Sequence, residues 1–144
     1  MKSLSVRLII FSLFFSSLTK SNVADSLKLI LLCRSSDSSK LKAYHHLSWT
    51  YMATIPDSAR YFSNQGISFS RFKKNNSYLG KFYNNCGVSF LYQSIFDSAA
   101  FYFRRAEQYH RQNKNKKDLA LVINNLGVVE YYLGKLAPLI FVLR

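Results

Sequence analysis

Tyr83-Asn84-Asn85-Cys86-Gly87-Val88 returns 40 residues later as Ile123-Asn124-Asn125-Leu126-Gly127-Val128. A weaker copy, Tyr44-His45-His46-Leu47-Ser48-Trp49, lies 39 residues before the middle one. The segments that follow agree too, Asp57-Ser58-Ala59-Arg60-Tyr61-Phe62 pairing with Asp97-Ser98-Ala99-Ala100-Phe101-Tyr102. Self-similarity at a fixed spacing marks a repeat architecture, in which each unit buries its apolar face only against its neighbour. The one-residue difference in spacing falls near Pro56, where a turn tolerates a deletion best.

Each copy divides into two stretches with apolar residues at helical spacing. From Ser39 to about Ala53, residues Leu41, Tyr44, Leu47, Ser48 and Tyr51 share a face. The turn Thr54-Ile55-Pro56 follows, and Asp57 or Ser58 is expected to cap a helix reaching about Phe72. Lys73 to Ser77 end it. The second copy is expected to form helices from about Ser77 to Tyr92 and from Phe96 to Gln112. Arg111 to Lys117 reads as a loop, followed by a helix from about Lys117 to Leu133. Asp25 to Cys33 is compatible with a short extra helix ahead of the array.

Composition agrees with helices. Two prolines and five glycines in 144 residues are too few for a many-turned β-sandwich. An apolar fraction of 49% against 19% charged excludes a disordered chain, and the length suits one domain. The net charge of +13 is compatible with nucleic acid, an anionic membrane surface or an acidic partner. Apart from Arg111 to Lys117 the charges are scattered, so charge alone names no partner. Cys33 and Cys86 lack metal-knuckle spacing and read as buried free thiols. A disulfide between them is the alternative in an oxidising compartment.

Lys2 and Arg7 precede the run LIIFSLFF from Leu8 to Phe15, the pattern of a secretory signal. The run is shorter than the roughly 20 apolar residues that a membrane span needs. Cleavage is expected after Ala24, with Thr19 as the alternative. Localisation is then periplasmic or extracytoplasmic, and an uncleaved inner-membrane anchor over residues 8–18 is the competing reading. Leu32 before Cys33 argues against a lipid-attachment cysteine. The expected layout is a signal peptide over 1–24, a short helix and Ser-rich linker over 25–38, and repeats over 39–136. These repeats divide as 39–76, 77–116 and a partial 117–136, ahead of an apolar tail over 137–144.

The repeats resemble the tetratricopeptide repeat family. Tyr83, Cys86, Gly87 and Phe90 match its packing positions on the first helix of a repeat, and Ala99, Phe103 and Ala106 those on the second. Ser63 and Gly66 depart from the pattern, where an aromatic residue and alanine are usual. The spacing also exceeds the family's common length of about 34 residues, an excess expected in the loops between repeats. The resemblance implies an all-α chain of antiparallel helix pairs in a short right-handed solenoid, with the third repeat incomplete. Leu47-Ser48-Trp49, Tyr51 and Pro56-Asp57-Ser58-Ala59 further resemble exported sensor regions of bacterial signalling proteins. In those proteins the repeats precede a transmembrane helix and a histidine-kinase or DNA-binding module. After Lys135 the pattern is lost, so a truncated array is expected.

The family resemblance implies peptide binding in the groove of the first helices. Groove positions are Lys42, His45, Trp49 and Met52, then Lys81, Asn84, Val88, Leu91 and Tyr92, then Leu121, Asn124, Val128, Tyr131 and Tyr132. Asn84 and Asn124 are suited to clamping an extended backbone through donor and acceptor together, and Lys42 and Lys81 to meeting a carboxylate. His45 and His46 point about 100° apart on a helix and do not make a shared metal face. No nucleophile with a base, carboxylate pair or phosphate loop stands out, so neither enzyme activity nor a metal or cofactor is expected. The expected function is an exported scaffold for a protein or peptide, with self-association through the incomplete third repeat. The alternative is a basic protein for anionic lipid or nucleic acid. Nucleic acid is disfavoured by export, and a membrane partner is expected only with the N-terminal segment uncleaved.

Overall fold

The computed structural model describes residues 23–134. The apolar tail and all but two residues of the expected signal peptide lie outside them. Residues 23–32 form α1, followed by α2 (Asp37–Tyr51), α3 (Pro56–Phe72), α4 (Asn76–Tyr92), α5 (Phe96–Gln112) and α6 (Lys116–Tyr132). No strand occurs among the described residues, so the all-α expectation holds. From α2 onward each helix packs on the next, and α2, α4 and α6 also touch within one layer. In the other layer α3 and α5 splay apart around a crevice between Ile67, Arg71, Phe101 and Arg105.

The loop expected from Arg111 to Lys117 is only residues 113–115. Arg111 and Gln112 complete α5, and Lys116 and Lys117 open α6. Lys, Arg and Gln are good helix formers, and no Gly or Pro interrupts this run. The extra repeat length therefore resides in helices of 17 residues each, α3 to α6, and not in the loops.

A left-handed residue stops these helices. Lys74, Ser94 and Lys114 have φ of 52°, 58° and 54°, and Gly134 has 71°. They recur every 20 residues, so the longer sequence period holds two helix-turn units. The Asn75 N–H donates to the Ser70 carbonyl at 2.8 Å and the Lys74 N–H to that of Arg71 at 3.1 Å. Asn115 and Lys114 repeat both bonds onto His110 and Arg111, which satisfies carbonyls that a helix end leaves unpaired. The α2–α3 turn has no left-handed residue, and the deletion near Pro56 falls there. A side chain in this conformation costs about 1 kcal/mol relative to glycine. Lys74→Gly, Ser94→Gly and Lys114→Gly are each expected to raise stability by about 0.5–1 kcal/mol. Urea melts check this, and an unchanged or lowered midpoint would contradict it.

The helix starts differ from expectation in their caps. Ser36 caps α2, its Oγ accepting the Ser39 N–H at 3.2 Å, so α2 begins two residues early. Asp57 and Ser58 are not caps, because Pro56 already opens α3 where its missing N–H has no helical partner to lose. Asp57 instead pairs with Arg60 one turn on.

Between the layers, Phe82, Cys86, Ala99, Phe103, Ala106 and Val122 are fully buried. Gly87 leaves room for the Phe103 ring, whose Cδ1 would stand 2.6 Å from an added Cβ. The Gly66 backbone likewise lies under Phe82, and Gly80 under His110. In the first copy Ser63 and Ser70 replace Phe103 and His110, while Ser48 and Leu41 replace Gly87 and Gly80. Volume lost on one helix is thus partly returned on its partner, as a close-packed interior requires. Cys86 is buried, and burial pushes its thiol up to about 12. Cys33 is not buried as expected, because it lies just past the end of α1. Both thiols are free.

Candidate functional site

Side chains four apart on a helix share a face. On α4 this aligns Asn84, Val88 and Tyr92, on α2 His45 and Trp49, and on α6 Leu121 and Asn125. These faces meet along the α2–α4–α6 layer and enclose a cleft of about 590 Å3. Met52, Ala53 and Thr50 complete one wall, and Val23 of α1 reaches in from the side. Trp49 is 57% exposed and Tyr92 60%, so much of the wall is ring surface in contact with water.

The cleft's amides are tied together. The Asn125 Nδ2 donates to Asn84 Oδ1 at 3.1 Å, and the Asn85 Nδ2 donates to Ser48 Oγ at 2.5 Å. The second asparagine of each pair therefore reaches back to the preceding first helix. Asn84 is only 6% exposed, beneath α6, and its Nδ2 makes no hydrogen bond among the described residues. Asn84 is thus both cleft wall and structural acceptor.

A smaller pocket of about 190 Å3 adjoins the cleft through Trp49, Asn84 and Leu121. It adds His45, Lys81, Asn85, His110, Asp118 and Val122. Lys81 Nζ lies 3.9 Å from Asp118 Oδ2. Burial, then the Lys81 and His46 charges, push His45 down to about 4 against the pull of Asp118. Burial also lowers His110, whose Nδ1 is buried without a hydrogen-bond partner among the described residues. Both imidazoles are therefore neutral near pH 7, leaving Lys81 and Asp118 as the pocket's charges. The arrangement offers a mainly apolar wall with a polar end, suited to holding a ligand.

Of the expected groove residues, Trp49, Met52, Asn84, Val88, Tyr92 and Leu121 line the cleft, and His45 and Lys81 the adjoining pocket. Lys42, Leu91, Asn124, Val128, Tyr131 and Tyr132 line neither. Leu91 packs against the core, Tyr132 stacks on Phe96 at 4.8 Å, and Asn124 is exposed. Asn125 stands where Asn124 was expected, because these amides join through non-equivalent positions of successive helices. The four-residue step from Leu121 is the signal that finds it. Nothing local in the sequence marks Val23, which reaches the cleft only through the packing of α1. The His45 and His46 rings meet edge to face at 5.9 Å. No group of three His, Cys, Asp or Glu residues that could hold a metal ion occurs among the described residues. Compared with protein-family models, curated proteins and solved structures, the chain matches none.

Proposed function

We propose that this chain is a tetratricopeptide-type scaffold, a short right-handed solenoid that holds a peptide or protein segment in the cleft of its first helices. The concentration of Trp49, Tyr92 and Leu121 in one concavity supports this reading. Apolar surface left in water inside a concavity gains most from being covered by another chain. The amides of Asn84 and Asn125 supply hydrogen bonds that a peptide backbone can use. In this reading the protein is exported, as the run LIIFSLFF supports, and derives from the sensor region of a signalling protein rather than from an enzyme. Processing after Thr19 spares every described residue of α1, whereas cleavage after Ala24 would remove Val23 and the buried Ala24.

Self-association belongs to the same proposal. Ile123, Val128 and Tyr131 are exposed on α6, and a Cβ added at Gly127 would meet nothing within 4 Å among the described residues. Gly127 is the repeat of Gly87, whose notch is filled by Phe103, and no described residue fills the Gly127 notch, so in this reading it seats a second copy.

Trp49 is the only tryptophan in the chain, so its emission reports on the cleft directly. Titration with a peptide library is expected to shift that emission to the blue for binders. Leu121→Asp, on an exposed position, should weaken those binders by about ten-fold or more. Peptides that bind equally well to Leu121→Asp, or a library without any Trp49 response, would sink the reading.

A further inference from the structure

The helix ends fall on two edges of the layered array. The end of α1, the starts of α2, α4 and α6 and the ends of α3 and α5 share one edge. The α2–α3 and α4–α5 turns lie on the other, with the start of α1 and the end of α6. Charge is divided unevenly between them. Within about one helical turn of the first edge stand nine lysines and arginines against two acids, Asp37 and Asp118. Within the same reach of the second edge, among the described residues, stand Asp25, Asp57, Asp97 and Glu130, with Lys28 reaching Asp25 and Arg60 reaching Asp57 and the Gln93 amide.

Three of the nine cations are engaged. Lys73 pairs with Asp37 at 2.9 Å, Arg111 with Glu107 at 2.7 Å, and Arg71 donates to the Tyr83 hydroxyl. Arg34, Lys40, Lys74, Lys114, Lys116 and Lys117 form no ion pair among the described residues. The basic edge also carries two apolar side chains in water, Leu32 at 83% exposure and Phe72 at 76%. Lys73 Nζ sits 5.2 Å from the centre of the Phe72 ring, so charge and apolar anchor are adjacent.

We propose that this edge docks on an anionic lipid surface, its free cations against headgroup phosphates and Phe72 and Leu32 inserted among them. Repeated phosphates match a row of unpaired cations, and each cation near such a surface strengthens binding about five-fold. Single-stranded nucleic acid would also satisfy the charge, but it is held by stacking bases on successive aromatic faces. This edge has one exposed ring and one aliphatic chain, a combination that enters a lipid interface and does not make a stacking platform. The peptide cleft lies toward the opposite edge, beside Val23, Met52, Ala53 and Tyr92, so docking leaves it open.

The test is co-sedimentation of the full chain with phosphatidylcholine vesicles, with and without phosphatidylglycerol. Binding is expected only with phosphatidylglycerol. The double variant Lys74→Asn/Lys114→Asn removes two charges with a residue that tolerates left-handed backbone, and should weaken binding about 30-fold. Phe72→Ser should weaken it further, and Asp97→Asn on the opposite edge should leave it unchanged. Equal binding to neutral vesicles would assign attachment to the apolar N-terminal segment and overturn the proposal. So would wild-type affinity in the double variant, or tighter binding to a single-stranded DNA oligonucleotide at the same salt concentration.

Discussion

Phe103→Ala is expected to lower the stability of the chain by about 3–5 kcal/mol. The ring is fully buried between α4 and α5, and its removal leaves a cavity that Gly87 opposite cannot fill. Gly87→Ala is expected to cost about 1–3 kcal/mol, because the added methyl needs space that Phe103 occupies. In the double variant the methyl enters the vacated volume, so the combined loss should fall short of the sum of the two. Gly127→Ala is the internal control. Its added Cβ meets nothing among the described residues, so the better helix propensity of alanine should raise stability by about 0.5–1 kcal/mol. Urea melts followed by helical circular dichroism decide the matter. Midpoint shifts of the same sign for Gly87→Ala and Gly127→Ala would refute the packing argument.

Stability is also expected to fall by about 2–3 kcal/mol between pH 6.5 and pH 4 through His45 alone. Burial beside Lys81 and His46 holds the folded imidazole neutral down to about pH 4, whereas the unfolded chain binds its proton near the ordinary 6.5. In that window the unfolded state takes up a proton that the folded state refuses, so acid favours unfolding. Well above pH 6.5 neither state is protonated at this site and the effect vanishes. Buried His110 is lowered too and acts in the same direction. His45→Asn, which installs the residue found at the equivalent position 84, should remove the His45 share of the acid sensitivity. The check compares urea midpoints at pH 7 and pH 4.5, carboxylate contributions being common to both proteins. An identical acid-induced loss in His45→Asn would show that this imidazole does not govern it.

Much of the helical architecture was legible because helical faces are local patterns. The span Phe96–Gln112 is read correctly from spacing alone, since its apolar face is regular and Asn113 follows it. The basic run from Arg111 to Lys117 was misread because polarity resembles a loop, while backbone propensity there favours helix. The real breaker is a single left-handed residue, and Lys and Ser in that place give no compositional warning. The cleft was legible only in part. Asn84, Val88 and Tyr92 follow from one helix's periodicity, but the choice between Asn124 and Asn125 depends on how α6 is turned against α4.

By itself the sequence determined the repeat spacing, the all-helical class and which face of each helix is apolar, because these depend on contacts a few residues apart. Only the tertiary structure decided that Asn84 is buried beneath Asn125, that Val23 reaches the cleft, and that the Gly127 copy of the Gly87 notch is filled by no described residue. It also decided that nine cations scattered along the chain collect on one edge. The physical reason is that each of these depends on where one helix sits against another. Alternating short turns bring residues 40 positions apart to the same edge, a proximity invisible to any local pattern.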